Sequence, residues 1–162
     1  MKGSDDRISA MLAGRIAAGD FPSAVYLVAE RGEVVLADAL GYAVREKERH
    51  AATLDTIYDL ASLTKPLVTG LLSAMRVERG EMNLDDTVSG YFPEFNLDDK
   101  REISLRQLLT HTSGLPAWRP LYLIAQERRD VLQAIALETL EFQPGTRVRY
   151  SDLGFITLGF LS

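Results

Sequence analysis

The chain has 162 residues, of which 46% are hydrophobic and 25% are charged, so it is long and apolar enough to form a domain with a core, and general disorder is not expected. Its net charge of −5 and the lack of a run rich in lysine and arginine argue against a nucleic-acid-binding protein. The absence of cysteine excludes disulfides and thiolate metal sites, and two histidines are too few for a histidine-rich one.

Two pairs of adjacent carboxylates, Asp85-Asp86 and Asp98-Asp99, are interpreted as loop and capping residues, and we expect neither a metal nor a cofactor. The first residues, 1–7, show no apolar signal-peptide core, and no stretch is long enough to span a bilayer. The sequence as given therefore predicts a cytoplasmic protein, or a periplasmic or secreted one if a leader has been removed.

The first predicted element is a helix over Asp5–Ala18, because apolar residues recur at helical spacing along it. Ser4 or Asp5 could cap its beginning, and Gly19 could end it. We interpret it as a packing helix with no part in chemistry.

A β-hairpin is predicted over Phe21–Val44, with its turn at Arg31-Gly32-Glu33, because both arms are rich in β-branched and aromatic residues. The polar stretch Arg45–Thr53 that follows is predicted to be a loop, and His50 within it to be solvated.

Ser62 and Lys65 stand three residues apart at the predicted beginning of a helix that runs to about Glu78 and stops at Gly80. At that spacing two side chains share a helix face, so a lysine whose pKa is depressed by burial could help to take the serine proton. Pro66 favours a helix that begins near Ser62, because proline is tolerated in a first turn. The alternative is a surface serine that caps a helix.

The apolar residues of this helix are spread around it, which is typical of a helix buried in a domain centre. They are Leu67, Val68, Leu71, Leu72 and Met75. We therefore expect Ser62 and Lys65 to be enclosed.

Further helices are predicted over Leu105–Leu109, with Ser104 as N-cap, and over Asp130–Leu140. Between them, Trp118 and Tyr122 could line a pocket or belong to the core, and the sequence leaves both alternatives open.

The last segment, 153–162, is apolar on all sides. A helix of that kind is normally buried, so we expect either a second chain or a C-terminal half to cover it and the polypeptide to be incomplete.

Three motifs follow one another in the order found in a known family: Ser62-x-x-Lys65, the run Leu108-Leu109-Thr110-His111-Thr112-Ser113-Gly114-Leu115, and Pro144-Gly145 leading to Tyr150-Ser151-Asp152. Together they resemble the serine β-lactamase-like family, which includes class C β-lactamases, DD-peptidases and related esterases. The resemblance extends from about Leu12 onward.

The resemblance implies an α+β fold, with an antiparallel sheet flanked by helices plus a helical subdomain, incomplete at the C-terminus. Residues 1–162 would be the N-terminal part of one catalytic domain, with a helix and hairpin in 1–60, and the nucleophile helix and helical subdomain in 61–162. The resemblance also implies roles for individual residues. Ser62 would be the acylated nucleophile and its backbone N–H half of an oxyanion hole, Lys65 would assist proton transfer, and Tyr150 would be the general base or proton relay. His111 would be a loop-fixing hydrogen-bond donor.

The chain departs from the family pattern in two places. Asp152 stands where the family commonly has Asn, and an anion there would favour a charged Lys65 and oppose a Tyr150 phenolate. The third motif, a Lys-Thr-Gly or His-x-Gly type of strand, is absent from the 162 residues.

We expect a serine hydrolase that cleaves a small-molecule ester, lactam or peptide through an acyl-serine, with an esterase or peptidase favoured over a true β-lactamase. A non-catalytic binding protein that keeps the scaffold, and an inactive fragment of the hydrolase, are the alternatives.

Overall fold

The computed structural model describes residues 6–44 and 48–161, which form two compact units divided after Asp59. The first unit combines a helix with a three-stranded antiparallel sheet, and the second is helical. The expected α+β class is therefore confirmed. The proposed caps Ser4 and Asp5 lie outside the described residues.

The first helix, α1, spans Asp6–Ala18 as its apolar spacing predicts. It ends at Gly19, whose φ of +85° is a left-handed conformation that costs glycine little. The N–H of Asp20 then bonds the carbonyl of Arg15, which closes the helix end. Ser9 joins α1 to the sheet through a 2.6 Å hydrogen bond from its hydroxyl to Asp38.

The predicted hairpin is formed by β1 (Ser23–Glu30) and β2 (Glu33–Val44). The loop between them has positive φ at both Arg31 and Gly32, which matches the right-handed twist of the strands.

The predicted loop over Arg45–Thr53 is wrong in part. His50–Ala51 form a short strand, β3, that pairs antiparallel with the end of β2 and completes the order β1-β2-β3. The polar residues concealed it because an edge strand exposed to solvent needs no apolar pattern. His50 is exposed, as expected.

In the second unit, the helical run predicted from Ser62 to Glu78 exists but is not one regular α-helix. A 3₁₀ turn over Ala61–Leu63 leads into a π-helical segment over Lys65–Gly70 and then into α2, Leu71–Glu78. Pro66 has no N–H to offer the carbonyl of Ser62, so an α-helical register could not continue through it.

The expectation that this run lies enclosed is wrong within the described residues, except for Lys65, whose side chain is only 14% exposed. The apolar side chains of the run at 67, 68, 71, 72 and 75 are between 36% and 56% exposed, and Ser62 is exposed too. Apolar content indicates that a segment can be buried but does not show that it is. Here the run packs against α7, the helix over Asp152–Gly159, yet its apolar side chains remain exposed.

The core of the second unit is formed by buried side chains of the remaining helices and of the turns and loops between them. The helices are α3 (Val88–Tyr91), α4 (Leu105–Leu109), α5 (Leu121–Ile124), α6 (Arg128–Ala136) and α7. The fully buried members include Val88, Phe95, Ile103, Leu105, Leu108, Leu115, Ile135 and Leu153.

Helix α4 confirms the predicted boundaries, and its cap Ser104 forms a reciprocal capping box with Gln107. Helix α6 begins two residues before the predicted Asp130, because Glu127 and Asp130 cap its N-terminus reciprocally. It ends at Ala136, before the predicted Leu140. Trp118 and Tyr122 are 54% and 75% exposed, so neither belongs to the core.

The apolar last segment is confirmed as a helix whose inner face is buried. In α7, Leu153, Gly154, Thr157 and Leu158 are buried, whereas Ile156 remains 37% exposed. That a further segment or chain covers residues 153–162 stays a prediction. Within residues 6–44 and 48–161, no helix is long and apolar enough to cross a membrane.

Two left-handed glycines of the second unit make a stability test. Gly114 has a φ of +83°, and a Cβ there would lie 2.3 Å from the carbonyl oxygen of Phe142. Gly80 has a φ of +69° and open space around it. We expect Gly80→Ala to lower the free energy of unfolding by about 1–2 kcal/mol, the cost of left-handed backbone.

Gly114→Ala should cost about 1–3 kcal/mol more than Gly80→Ala, because the clash with backbone adds an overpacking term. Urea denaturation of both variants measures the difference directly. Equal losses would show that the approach of Phe142 to Gly114 does not constrain the loop.

Candidate active site

Ser62 lies just after a local distortion of the backbone. Ala61 has a φ of +46°, a left-handed conformation that a residue with a Cβ adopts rarely. The chain turns at this residue and enters the 3₁₀ turn that contains Ser62. Ser62 there lines a cavity of about 540 Å³.

Lys65 lines the same cavity and forms an ion pair with Asp152. The Nζ atom donates to Oδ1 of Asp152 over 2.6 Å, and the two side chains are 14% and 34% exposed. Asp152 is the first residue of α7, where the positive end of the helix dipole favours an anion. The pair therefore connects the segment of the nucleophile to α7.

The pKa of Lys65 is raised above its ordinary value of 10.5. Burial lowers this pKa, but hydrogen bonds to Asp152 and Tyr150 and the charges of both groups outweigh that effect. The expectation that burial would depress the pKa of Lys65 is therefore wrong, because the side chain is paired where it is buried. Lys65 is a cation in this site.

Tyr150 also lines the cavity, from an extended segment that precedes α7. Its ring centroid is 4.8 Å from Nζ of Lys65. Hydrogen bonds from Lys65 and then from Ser62 lower the pKa of Tyr150 below 10.0, while burial and the charge of Asp152 act in the opposite direction. The motif residues Ser62, Lys65, Tyr150 and Asp152 are thus brought together.

The segment that carries Tyr150 runs beside the loop of the second motif and is held there by buried hydrogen bonds. Ser151 is 1% exposed, and its hydroxyl donates to the carbonyl of Pro116 over 2.7 Å. The same oxygen accepts from the N–H of Gly154 and so caps α7. The N–H of Asp152 bonds the carbonyl of Ala117. These bonds fix the backbone from which the side chains of Tyr150 and Asp152 project.

His111 lines the cavity as well, and its hydrogen bond differs from the expectation. The sequence predicted a donor, whereas Nδ1 accepts the N–H of Ser151 over 3.0 Å. The pKa of His111 is lowered from 6.5, first by burial and second by the charge of Lys65, against the opposing effect of Asp152. A neutral imidazole is the form that can accept this bond.

The apolar walls of the cavity were missed by sequence reasoning. They include Leu60, Leu63, Leu109 and Phe155. Leu109 belongs to the second motif and Phe155 follows the third closely, so adjacency to a motif was the available signal. These side chains give the cavity an apolar lining beside its polar groups.

No group of three or more His, Cys, Asp or Glu residues in the described part of the chain is arranged to hold a metal ion. The chemistry that the four polar side chains can perform is proton transfer from the Ser62 hydroxyl to a phenolate at Tyr150, with the positive charge of Lys65 beside it.

Comparisons with known proteins identify the family of the chain and the solved structures that it resembles. Residues 8–162 match the family model described as Beta-lactamase. A protein of Salmonella agona (strain SL483), provisionally named as a D-alanyl-D-alanine carboxypeptidase, is 32% identical over 96% of this chain and 40% of its own length. The chain thus spans less than half of the curated relatives that it matches.

Solved structures show the same fold. EstCE1, described as a hydrolase with promiscuous acyltransferase activity, aligns with a TM-score of 0.80 at 31% identity, over 95% of this chain and 45% of that one. A class C beta-lactamase in complex with cefoxitin aligns with a TM-score of 0.82 over 95% of this chain and 42% of that one. At 23% identity, the second likeness shows the fold alone.

The electrostatic description of Tyr150 predicts shifts of opposite sign in two variants. Lys65→Met removes the cation and should raise the pKa of Tyr150, whereas Asp152→Asn removes the opposing anion and should lower it further. NMR titration of ring-labelled tyrosine measures both shifts, with the Tyr150 signal assigned from its loss in Tyr150→Phe.

Asp98→Asn is the matched control, because it also removes one carboxylate but from a side chain that is 97% exposed. It should leave the Tyr150 titration where it is, since solvent screens an exposed charge. Shifts of the same sign in Lys65→Met and Asp152→Asn would contradict the description.

Proposed function

The chain belongs to the β-lactamase family, and on that premise we propose that Ser62 attacks the carbonyl carbon of an ester or amide and forms an acyl-serine intermediate. Water then releases the acyl group as a carboxylic acid and regenerates the serine. The whole protein's activity is part of this proposal, because the matched relatives are more than twice as long as the match.

The observation that carries the proposal is the arrangement of Ser62, Lys65 and Tyr150 around one cavity, with Nζ of Lys65 4.8 Å from the centre of the Tyr150 ring. This proximity of Lys65 lowers the pKa of Tyr150. A serine hydroxyl is a weak nucleophile until a neighbouring base accepts its proton. A phenol ordinarily loses its proton near pH 10, so a positive charge has to favour the phenolate before it can act as that base. Lys65 supplies this charge.

The first half-reaction then proceeds as follows. The phenolate of Tyr150 takes the Ser62 proton while Oγ bonds to the carbonyl carbon, and the carbonyl oxygen becomes an oxyanion. Tyr150 returns the proton to the departing alcohol or amine as the bond to the leaving group breaks. Water repeats the sequence on the acyl-serine, with its proton passing through Tyr150 back to Ser62.

Lys65 serves as a fixed cation in this scheme and does not act as the base. Its raised pKa keeps it protonated at neutral pH, where the positive charge stabilises the phenolate. Asp152 holds the ammonium in place through their 2.6 Å hydrogen bond. The Ser62 backbone N–H is the proposed half of an oxyanion hole, and a second donor is worth about 10²–10³ in rate.

The names of the relatives differ in the substrate but agree in the type of reaction, which favours acyl transfer without indicating one substrate. They describe a carboxypeptidase, a hydrolase with acyltransferase activity and, in an Ochrobactrum anthropi structure that shows fold alone, a D-amino acid amidase. Each acts on a carbonyl with an oxygen or nitrogen leaving group. With leucine and phenylalanine walls beside Ser62, we propose an ester or amide with an apolar acyl group as the substrate.

One observation favours a second candidate function, a binding protein that keeps the scaffold without turnover. The charge of Asp152 raises the pKa of Tyr150 and so opposes the phenolate. Where that effect dominates, Tyr150 stays protonated and Ser62 only donates a hydrogen bond to a ligand.

Covalent labelling of Ser62 separates the two functions. A fluorophosphonate phosphonylates an activated serine with loss of fluoride. We therefore expect the mass of the protein to rise by one adduct and the modified peptide to contain Ser62. Ser62→Ala should abolish the adduct. Ser73→Ala is the matched control, because Ser73 is 7% exposed and its hydroxyl bonds the carbonyl of Thr69.

The control should be labelled as fast as the unmodified chain. An adduct that persists in Ser62→Ala, or that maps to a different serine, would rule out Ser62 as the nucleophile. No adduct on the unmodified chain at any pH would favour the binding function.

A further inference from the structure

His111 contacts the chain on both sides of Tyr150. Its carbonyl oxygen accepts the N–H of Arg149 over 2.8 Å, and its Nδ1 accepts the N–H of Ser151 over 3.0 Å. Its ring also lies against the Tyr150 ring, with the centroids 4.6 Å apart. One residue thus bonds the N–H groups of the residues before and after Tyr150 and contacts the Tyr150 ring.

The backbone of His111 explains why it can reach so many partners. Its φ of +58° lies in the left-handed region, where histidine, asparagine and aspartate are the tolerated non-glycine residues. The N–H of His111 bonds the carbonyl of Leu108 at the end of α4, so the turn begins on a buried helix. The turn then directs the ring toward Phe155 of α7, 4.9 Å away between centroids.

We propose that neutral His111 is a positioning residue for the acyl-transfer reaction, which holds Tyr150 against Ser62, and that protonation of its Nδ1 releases Tyr150 and switches the site off in acid. This inference rests on the proposed function. His111 acts through Tyr150 and does not exchange a proton with the substrate.

The hydrogen bond to Ser151 fixes the protonation state that the role requires. An imidazole accepts a hydrogen bond only through an unprotonated nitrogen, so the neutral ring carries its proton on Nε2. When Nδ1 is protonated, two N–H groups face each other and the bond to Ser151 is lost. The peptide between Tyr150 and Ser151 then loses the hydrogen bond of its own N–H, while the bonds of Arg149 and Asp152 on either side remain.

Charged groups from each packed element face this ring. Lys65 belongs to the π-helical segment, Asp152 begins α7, and Tyr150 comes from the extended segment. Burial and Lys65 favour the neutral ring, and Asp152 opposes them, with the net effect that the pKa of His111 lies below 6.5. The site is therefore in its positioned form at neutral pH.

The same shift couples the switch to folding. Because the folded chain binds the His111 proton less tightly than the unfolded chain, the neutral ring stabilises the fold above about pH 6.5. That contribution decreases as the pH falls from about 6.5 through the lower pKa of the folded state. In His111→Asn, where no ring titrates, this part of the pH dependence of stability should disappear.

Two variants at position 111 separate positioning from simple folding. Asparagine tolerates a positive φ and can accept the Ser151 N–H through Oδ1, yet it does not titrate. Glycine adopts the same φ but offers no acceptor. His50→Gln is the matched control, because His50 is the other histidine of the chain and is exposed.

The rate of Ser62 labelling by a fluorophosphonate, followed between pH 5 and pH 8, gives the decisive readout. Loss of the Tyr150 phenolate alone makes the logarithm of the rate fall by one per pH unit. Protonation of His111 should add a second unit of slope below its pKa in the unmodified chain and in His50→Gln. His111→Asn keeps an acceptor for the Ser151 N–H but loses the ring contact with Tyr150, so its rate at pH 7.5 should lie between those of the unmodified chain and His111→Gly, with a slope of one throughout. His111→Gly should lose about 10–100-fold at every pH, the scale expected for a small displacement of a reacting group.

Long-range ¹H–¹⁵N NMR of the His50→Gln chain reports the remaining imidazole. We expect the Nε2–H tautomer at pH 7.5 and a titration midpoint that coincides with the break in the labelling rate. An Nδ1–H tautomer, or an unchanged slope in His111→Asn, would overturn this inference while labelling of Ser62 still supports the proposed function. Absence of labelling in the unmodified chain at every pH would overturn the proposed function together with the positioning role. The two failures are therefore distinguishable by whether Ser62 is labelled.

Discussion

The ion pair between Lys65 and Asp152 is the interaction on which the candidate site depends. The Lys65 side chain is mostly buried, at 14% exposure, and a buried charge without a partner would cost several kcal/mol. Asp152 meets that requirement at 2.6 Å, and the same ammonium lies 4.8 Å from the ring of Tyr150. One cation is therefore shared between a carboxylate that holds it and a phenol whose pKa it lowers. The balance between the two anions decides how much phenolate Tyr150 can present to Ser62.

Three parts of the second unit carry the residues of this site. The helical run with Ser62 and Lys65 packs on α7, and α7 begins at Asp152. The loop with His111 then fixes the segment between, because backbone bonds from 149, 151 and 152 all end on residues 111–117. Hydrogen bonds thus join three stretches that are far apart in sequence: the run with Ser62 and Lys65, the loop 111–117, and the segment 149–152. The distorted backbone at Ala61 and His111, both with positive φ, occurs next to the groups that are proposed to react.

The sequence motifs named Ser62, Lys65, Tyr150 and Asp152, which the fold brings together, and predicted most helices, because motif spacing and capping residues are local properties. Ser104 with α4, and Gly19 after α1, are examples in which a single residue type determined the boundary. The effect of Asp152 on the charge of Lys65 was predicted correctly, whereas the expectation of a Lys65 pKa depressed by burial was wrong, because Asp152 and Tyr150 together outweigh burial. The direction of the His111 hydrogen bond was missed for a similar reason, because Ser151 approaches it only in the folded chain. The exposure of the apolar run at 67–75 could not be read from composition, which does not specify what a surface contacts.

The central claim is that Tyr150 takes the proton of Ser62. The most direct test is the second-order rate of Ser62 labelling by a fluorophosphonate in Tyr150→Phe, which keeps the ring contact with His111 and removes only the hydroxyl. Loss of a general base lowers a rate by about 10²–10⁴-fold, and we expect a loss in this range with an unchanged folding midpoint. A rate within about threefold of the unmodified chain from pH 6 to pH 9 would contradict the account.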